Sequence, residues 1–97
     1  MANEISTAQK KFIIKTIRAI LPDAAILAFG SRIQGGAYPY SDLDIALKSK
    51  QPIKLSELGN LKEQFADSDL PFKVDLLDYQ STSDEFRQII NDNAQKW

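Results

Sequence analysis

An α/β fold built on a small mixed β-sheet is predicted by two observations. Stretches with helical periodicity alternate with short apolar runs, in the order helix, strand, helix, strand, helix, strand, helix. In the middle of the chain, Leu43, Ile45 and Leu47 alternate with Asp42, Asp44, Ala46 and Lys48. A strand with that pattern buries one side and exposes the other, so the sheet is expected to have a one-sided core.

The elements follow in order. A first helix is expected over residues 7–21: Ser6 and Gln9 have capping-box spacing, and Ile13, Ile17, Ile20 and Leu21 share a face. Pro22-Asp23 ends it. Residues 24–29 are an apolar run halted by Gly30, which reads as a buried strand. A brief helical piece over residues 31–34 is stopped by Gly35-Gly36. After the strand through residue 48 comes a loop over residues 49–54, punctuated by Pro52. Residues 56–66 read as a helix with Leu58, Leu61 and Phe65 on one face, although Gly59 weakens it by about 1 kcal/mol. Residues 72–77 form the third strand, set off by Pro71. The last helix is expected to start near Thr82, whose spacing to Glu85 suits a capping box, and to bury Phe86, Ile89 and Ile90. Residues 91–97 are expected to be frayed or free for a partner.

Composition narrows the chemistry. Ninety-seven residues are expected to form one domain over residues 1–97 with one core. The chain is 43% hydrophobic and 26% charged, an ordinary globular balance. A net charge of −1 provides no basic field to attract nucleic acid, so none is expected as a partner. Cysteine and histidine are absent, which excludes disulfides, thiolate nucleophiles, the usual zinc ligands and every serine–histidine triad. Chemistry must therefore run on carboxylates, hydroxyls, Lys, Arg, Tyr and a bound cation. No targeting or membrane-spanning segment is recognisable, so the cytoplasm is the expected location.

The richest segment runs from Gly30-Ser31-Arg32 to Ser41-Asp42-Leu43-Asp44. Asp42 and Asp44 lie two residues apart on a strand and point the same way, and two adjacent anions repel unless a cation sits between them. Mg²⁺, bound through one or two carboxylates plus substrate phosphates, suits such a pair. Upstream, a glycine-serine turn brings backbone N–H groups near phosphate oxygens, so Gly30 and Ser31 are candidate phosphate contacts. Together they read as a site for a metal-bound nucleoside triphosphate. Arg32, Lys48 and Lys73 are candidate counter-charges, with a structural salt bridge the competing role for Arg32. Tyr38 and Tyr40 flank Pro39 and either shape the loop or stack on a base.

This run resembles the signature of the DNA-polymerase-β-like nucleotidyltransferase superfamily, Gly-Ser followed after a short spacer by Asp-x-Asp. The pattern Gly-Ser-Arg…Gly…Ser-Asp-Leu-Asp-Ile is similar to that of its smallest branch, the minimal nucleotidyltransferases. Residues 68–78, Ser-Asp-Leu-Pro-Phe-Lys-Val-Asp-Leu-Leu-Asp, resemble that branch's third-carboxylate strand, and the resemblance covers residues 25–90. Gln34 stands where many relatives carry arginine. The resemblance implies helices packed on one face of the sheet and acids on the other. It implies two Mg²⁺ ions, with Asp42 and Asp44 holding the triphosphate-bound ion and bridging to the second, and Asp75 completing the second site. Asp75 is also placed to accept the acceptor hydroxyl's proton, unless a metal-bound alkoxide needs no base. Asp78, three residues on, is a rival for the third-carboxylate role but is expected to face the other way.

The expected activity is transfer of a nucleoside monophosphate, AMP foremost, from a triphosphate such as ATP to a hydroxyl, with pyrophosphate leaving. A bare domain leaves its site open to water. The resemblance supplies a remedy: a small all-helical HEPN-type protein as partner in a hetero-oligomer, with this chain as antitoxin. Two other readings stand beside it. One is a non-catalytic nucleotide-binding antitoxin or regulatory subunit acting by contact; the other is an aminoglycoside-type small-molecule nucleotidyltransferase.

Overall fold

The computed structural model describes residues 5–30, 33 and 41–97. Helix α1 (Thr7–Ile20) starts at the expected capping box. The Gln9 N–H donates to Ser6 Oγ at 3.1 Å, and the Ser6 N–H donates to Gln9 Oε1 at 2.9 Å. Strand β1 (Ala25–Phe29) follows, then β2 (Leu43–Lys48), helix α2 (Leu55–Ala66), β3 (Val74–Asp78), a 3₁₀ turn (Tyr79–Ser81), helix α3 (Asp84–Asn93) and β4 (Gln95–Lys96). The expected helical piece at residues 31–34 lies outside the described residues except for Ile33, whose N–H donates to the Gly30 carbonyl at 3.0 Å.

The four strands form one mixed sheet in the order β3-β2-β1-β4. β1 runs antiparallel to both β2 and β4, whereas β2 and β3 are parallel. Parallel neighbours need a crossover, and α2 is that connection. The period-two alternation of the strands divides the apolar residues between two faces. Ile26, Ala28, Leu43, Ile45, Leu47, Val74 and Leu76 meet Ile13 and Ile17 of α1 and Leu61 and Phe65 of α2 in the main core.

The opposite face carries a smaller cluster, and here the expectation of helices on one face needs correction. Phe29, Ala46 and Tyr79 pack there against Ile90 of α3, and the Phe86 ring meets Phe29 edge to face at 5.9 Å. Helix α3 thus covers the lower part of the second face, because Leu27, Phe29, Ala46 and Leu77 make that face apolar outside the acidic row.

Two further details at the C-terminal end differ from expectation. Ser83, not Thr82, caps α3, accepting from the Phe86 N–H, while Thr82 Oγ1 donates to the Tyr79 carbonyl. Of the three α3 residues expected in the core only Ile90 is buried; Phe86 is 36% and Ile89 54% exposed. Nor do residues 91–97 fray as expected: β4 pairs with β1, the Trp97 N–H donates to the Ile26 carbonyl at 2.8 Å, and Lys10 lies over the indole.

Candidate active site

Register brings the acids together. In the parallel β2–β3 ladder Asp44 stands directly opposite Asp75, and in-register residues on paired strands project from the same face. The neighbouring pairs Leu43–Val74 and Ile45–Leu76 are buried in the main core on the other face. Asp75 is exposed and Asp44 half-buried. Asp42, also exposed, lies two residues upstream of Asp44, just before β2 begins.

Gly30 closes the site on the β1 side. Asp44 pairs across the antiparallel ladder with Phe29, and Gly30 follows at φ +89°, in the left-handed region that glycine tolerates. A Cβ on Gly30 would overlap Asp44 Oδ2 and stand 3.2 Å from Cγ. The glycine therefore does two things: it turns the chain after β1, and it lets the turn's backbone lie against the carboxylate.

The electrostatics match this crowding. Burial pushes the Asp44 carboxyl up from its ordinary value, and the negative charges of Asp75 and Asp42 push it further the same way. Three acids thus share one field. Among the described residues, however, no three acidic side chains stand close enough together to enclose an ion.

The remaining candidates separate. Ser31 and Arg32 lie outside the described residues, as do Gln34, Tyr38 and Tyr40. Lys48 is turned to the Tyr79 ring, 5.1 Å from its centroid. Asp78 pairs in register with Leu47, away from the acidic row. Its carboxylate accepts from the Gln80 N–H at 3.0 Å and from Ser81 Oγ, capping the 3₁₀ turn, so it is occupied structurally. Lys73 stays near the acids and, with Asp75, lines a cavity at the edge of the sheet that the sequence did not disclose. No helix among the described residues is long and apolar enough to cross a membrane.

Residues 10–95 match the family model described as "Polymerase beta, Nucleotidyltransferase". The chain belongs to this nucleotidyltransferase family. A curated relative from Haemophilus influenzae, described as "Probable protein adenylyltransferase MntA", is 51% identical over 79 residues, 80% of this chain and 69% of the relative. Among solved structures, a toxin–antitoxin crystal structure with AMP-PNP superposes with a TM-score of 0.79 at 31% identity, covering 91% of this chain and 72% of the other. The MNT antitoxin complexed with the tri-AMPylated HEPN toxin of Shewanella oneidensis gives 0.71 at 30% identity, covering 91% and 68%. The mixed sheet and its acidic row are thus a nucleotidyltransferase scaffold, and the chain is an enzyme of that class.

Proposed function

We propose that this chain is a Mg²⁺-dependent protein adenylyltransferase. It moves AMP from ATP to a hydroxyl on a small helical HEPN-type partner, as the antitoxin of a toxin–antitoxin pair in the cytoplasm. The observation that carries the reading is the in-register Asp44–Asp75 pair with the Gly30 turn against Asp44. The adenylyltransferase relative and the AMPylated toxin of the Shewanella complex support AMP as the group and a protein as the acceptor.

The donor set fits a hard divalent cation. It consists of carboxylates alone, and Asp75 and Asp42 both push the Asp44 carboxyl up by their negative charge. Asp42, Asp44 and Asp75 would hold Mg²⁺, which supplies neutralisation of the triphosphate's charge and Lewis acidity toward the attacking oxygen. Asp42 and Asp75 are exposed, so their side chains have room to reach an ion held beside Asp44.

Gly30, with Ser31 and Arg32 beyond it, would take the β- and γ-phosphates at the β1 end of the row. The acceptor oxygen forms the new bond to the α-phosphorus as the bridging bond to the β-phosphate breaks, and pyrophosphate leaves with the bridging oxygen. The hydroxyl proton passes to the Asp75 carboxylate or to water.

Incubation with ATP labelled at the α-phosphate, Mg²⁺ and a HEPN-type partner tests the proposal. Replacing Asp42 and Asp44 together by Asn should cut label transfer by at least about 10²–10³-fold and abolish neutralisation of the partner. Neutralisation that survives the double replacement would refute catalysis as its cause and favour inhibition by contact.

A further inference from the structure

An aromatic ring stands where the cover of α3 meets the acidic row. Phe29, Ala46, Tyr79 and Ile90 fill the space between α3 and the second face of the sheet. Phe86 lies one helical turn before Ile90, and its ring meets Phe29. Phe29 in turn stands opposite Asp44 in the β1–β2 ladder and immediately precedes Gly30. It is only 8% exposed, whereas Phe86 is 36% exposed. Packing against the sheet therefore leaves a large apolar side chain open to water on the same face as the acids. Water around that ring is unfavourable, and a flat apolar ligand would displace it.

The geometry suits stacking. The Phe29 and Phe86 rings lie 5.9 Å apart at an interplanar angle of 87°. In that arrangement Phe29 covers at most one face of the Phe86 ring. Side chains opposed across an antiparallel ladder stand about 5 Å apart, so the Phe86 ring lies on the order of 10 Å from the Asp44 side chain. A ribose bridges that kind of gap between an α-phosphate at the acids and its base. The platform is also held firmly. The Phe86 N–H donates to Ser83 Oγ at 3.1 Å, Ile90 is fully buried, and the Tyr79 hydroxyl donates to Asn91 Oδ1 at 2.9 Å. Helix α3 is thereby tied to the sheet on both sides of the ring.

We infer that Phe86 is the surface on which the base of the donor triphosphate stacks, and that it favours a purine over a pyrimidine. The inference rests on the transfer reading above and adds to it a residue that sets which triphosphate is taken. Stacking strengthens with the area two rings share, and a fused purine covers more of a phenyl ring than a single pyrimidine ring does. A phenyl ring offers no hydrogen bond, so Phe86 by itself does not separate adenine from guanine.

The test measures binding by calorimetry in Mg²⁺, with ATP, CTP and inorganic tripolyphosphate as ligands. Wild-type protein should bind ATP more tightly than CTP. Phe86→Ala should raise the Kd for ATP about tenfold, narrow the gap between ATP and CTP, and leave tripolyphosphate binding unchanged. Phe86→Trp, which keeps a stacking surface, should hold the ATP affinity within about threefold of wild type. Ile89→Ala alters an exposed apolar residue of α3 outside the cluster on Phe29 and should change none of these values. An ATP affinity indifferent to Phe86→Ala would overturn the assignment, as would an equal loss for ATP and tripolyphosphate. A Trp variant as weak as the Ala variant, or an Ile89→Ala variant as weak as either, would reduce Phe86 to a helix-packing residue. Failure of the wild type to bind ATP at all would bring down the transfer reading itself, and the inference with it.

Discussion

Replacing Asp44 by Asn should destroy transfer and yet make the protein more stable. Asp44 is half-buried, faces Asp75 in register and has Asp42 two residues upstream. Carboxylates on paired strands stand about 5 Å apart, and at an effective dielectric of about 40–80 one such repulsion costs about 1–2 kcal/mol. Solvent screening at this partly exposed site reduces the net gain from its removal to about 1 kcal/mol. For a domain of this size that corresponds to a rise in Tm of about 4–8 °C. The sign of the pH dependence follows from the direction of the shift. The folded protein holds the Asp44 carboxyl above its ordinary value, through burial first and then the charges of Asp75 and Asp42. The penalty is therefore absent below about pH 4 and grows as pH rises through the folded-state value. Thermal unfolding followed by circular dichroism, at low salt with EDTA, should show the Asn variant melting higher at neutral pH. The gap should close on acidification, and excess Mg²⁺ should close or reverse it by stabilising the wild type alone. A wild type more stable than the variant at neutral pH in EDTA, or a gap that persists in acid, would refute the idea that these acids strain one another.

Two other substitutions separate the site from the scaffold. Gly30→Ala should cost about 1–2 kcal/mol through its positive φ and reduce transfer sharply, because the added Cβ overlaps the Asp44 carboxylate; denaturant melts and label transfer measure the two effects. Gly59→Ala in α2 faces open space and should stabilise by about 1 kcal/mol, visible as a higher urea midpoint, with transfer unchanged.

What the sequence disclosed was local. The Ser6–Gln9 box is a matter of three-residue spacing, and it forms. The alternation around Asp44 correctly assigned its face, and Gly30 announced a turn. The contacts of the C-terminal end were not readable. Nothing in residues 91–97 marks a strand, because β4 is held by backbone bonds to β1 that almost any sequence can make. Ser83 and Thr82 both have capping chemistry, and only the turn at Tyr79 decides that Thr82 bonds backward. The apolar stripe of α3 suggested three buried residues, but the free part of the second face is narrow and takes Ile90 whole and Phe86 in part. The cavity beside Asp75 arises where α2 ends against an edge strand, a juxtaposition no linear pattern reveals.

The alignment of Asp44 with Asp75 opposes the charges of the two residues, so something else must enforce it. Side-chain direction along a strand has a period of two, and a one-residue slip of β3 against β2 would turn Asp75 into the core and Val74 and Leu76 out to water. Burying each of those apolar side chains stabilises the native register by about 1.5–3 kcal/mol, more together than the repulsion of about 1–2 kcal/mol between the acids. The Leu43 N–H, donating to the Lys73 carbonyl at 2.8 Å, pins the ladder at its start, just ahead of the acidic pair. Leu61 and Phe65 anchor the α2 crossover to the same core and so deliver β3 to its place. The geometry of the site is therefore imposed from behind the sheet: hydrophobic residues on the far face hold two like charges side by side, leaving a concentration of negative charge that suits a divalent cation.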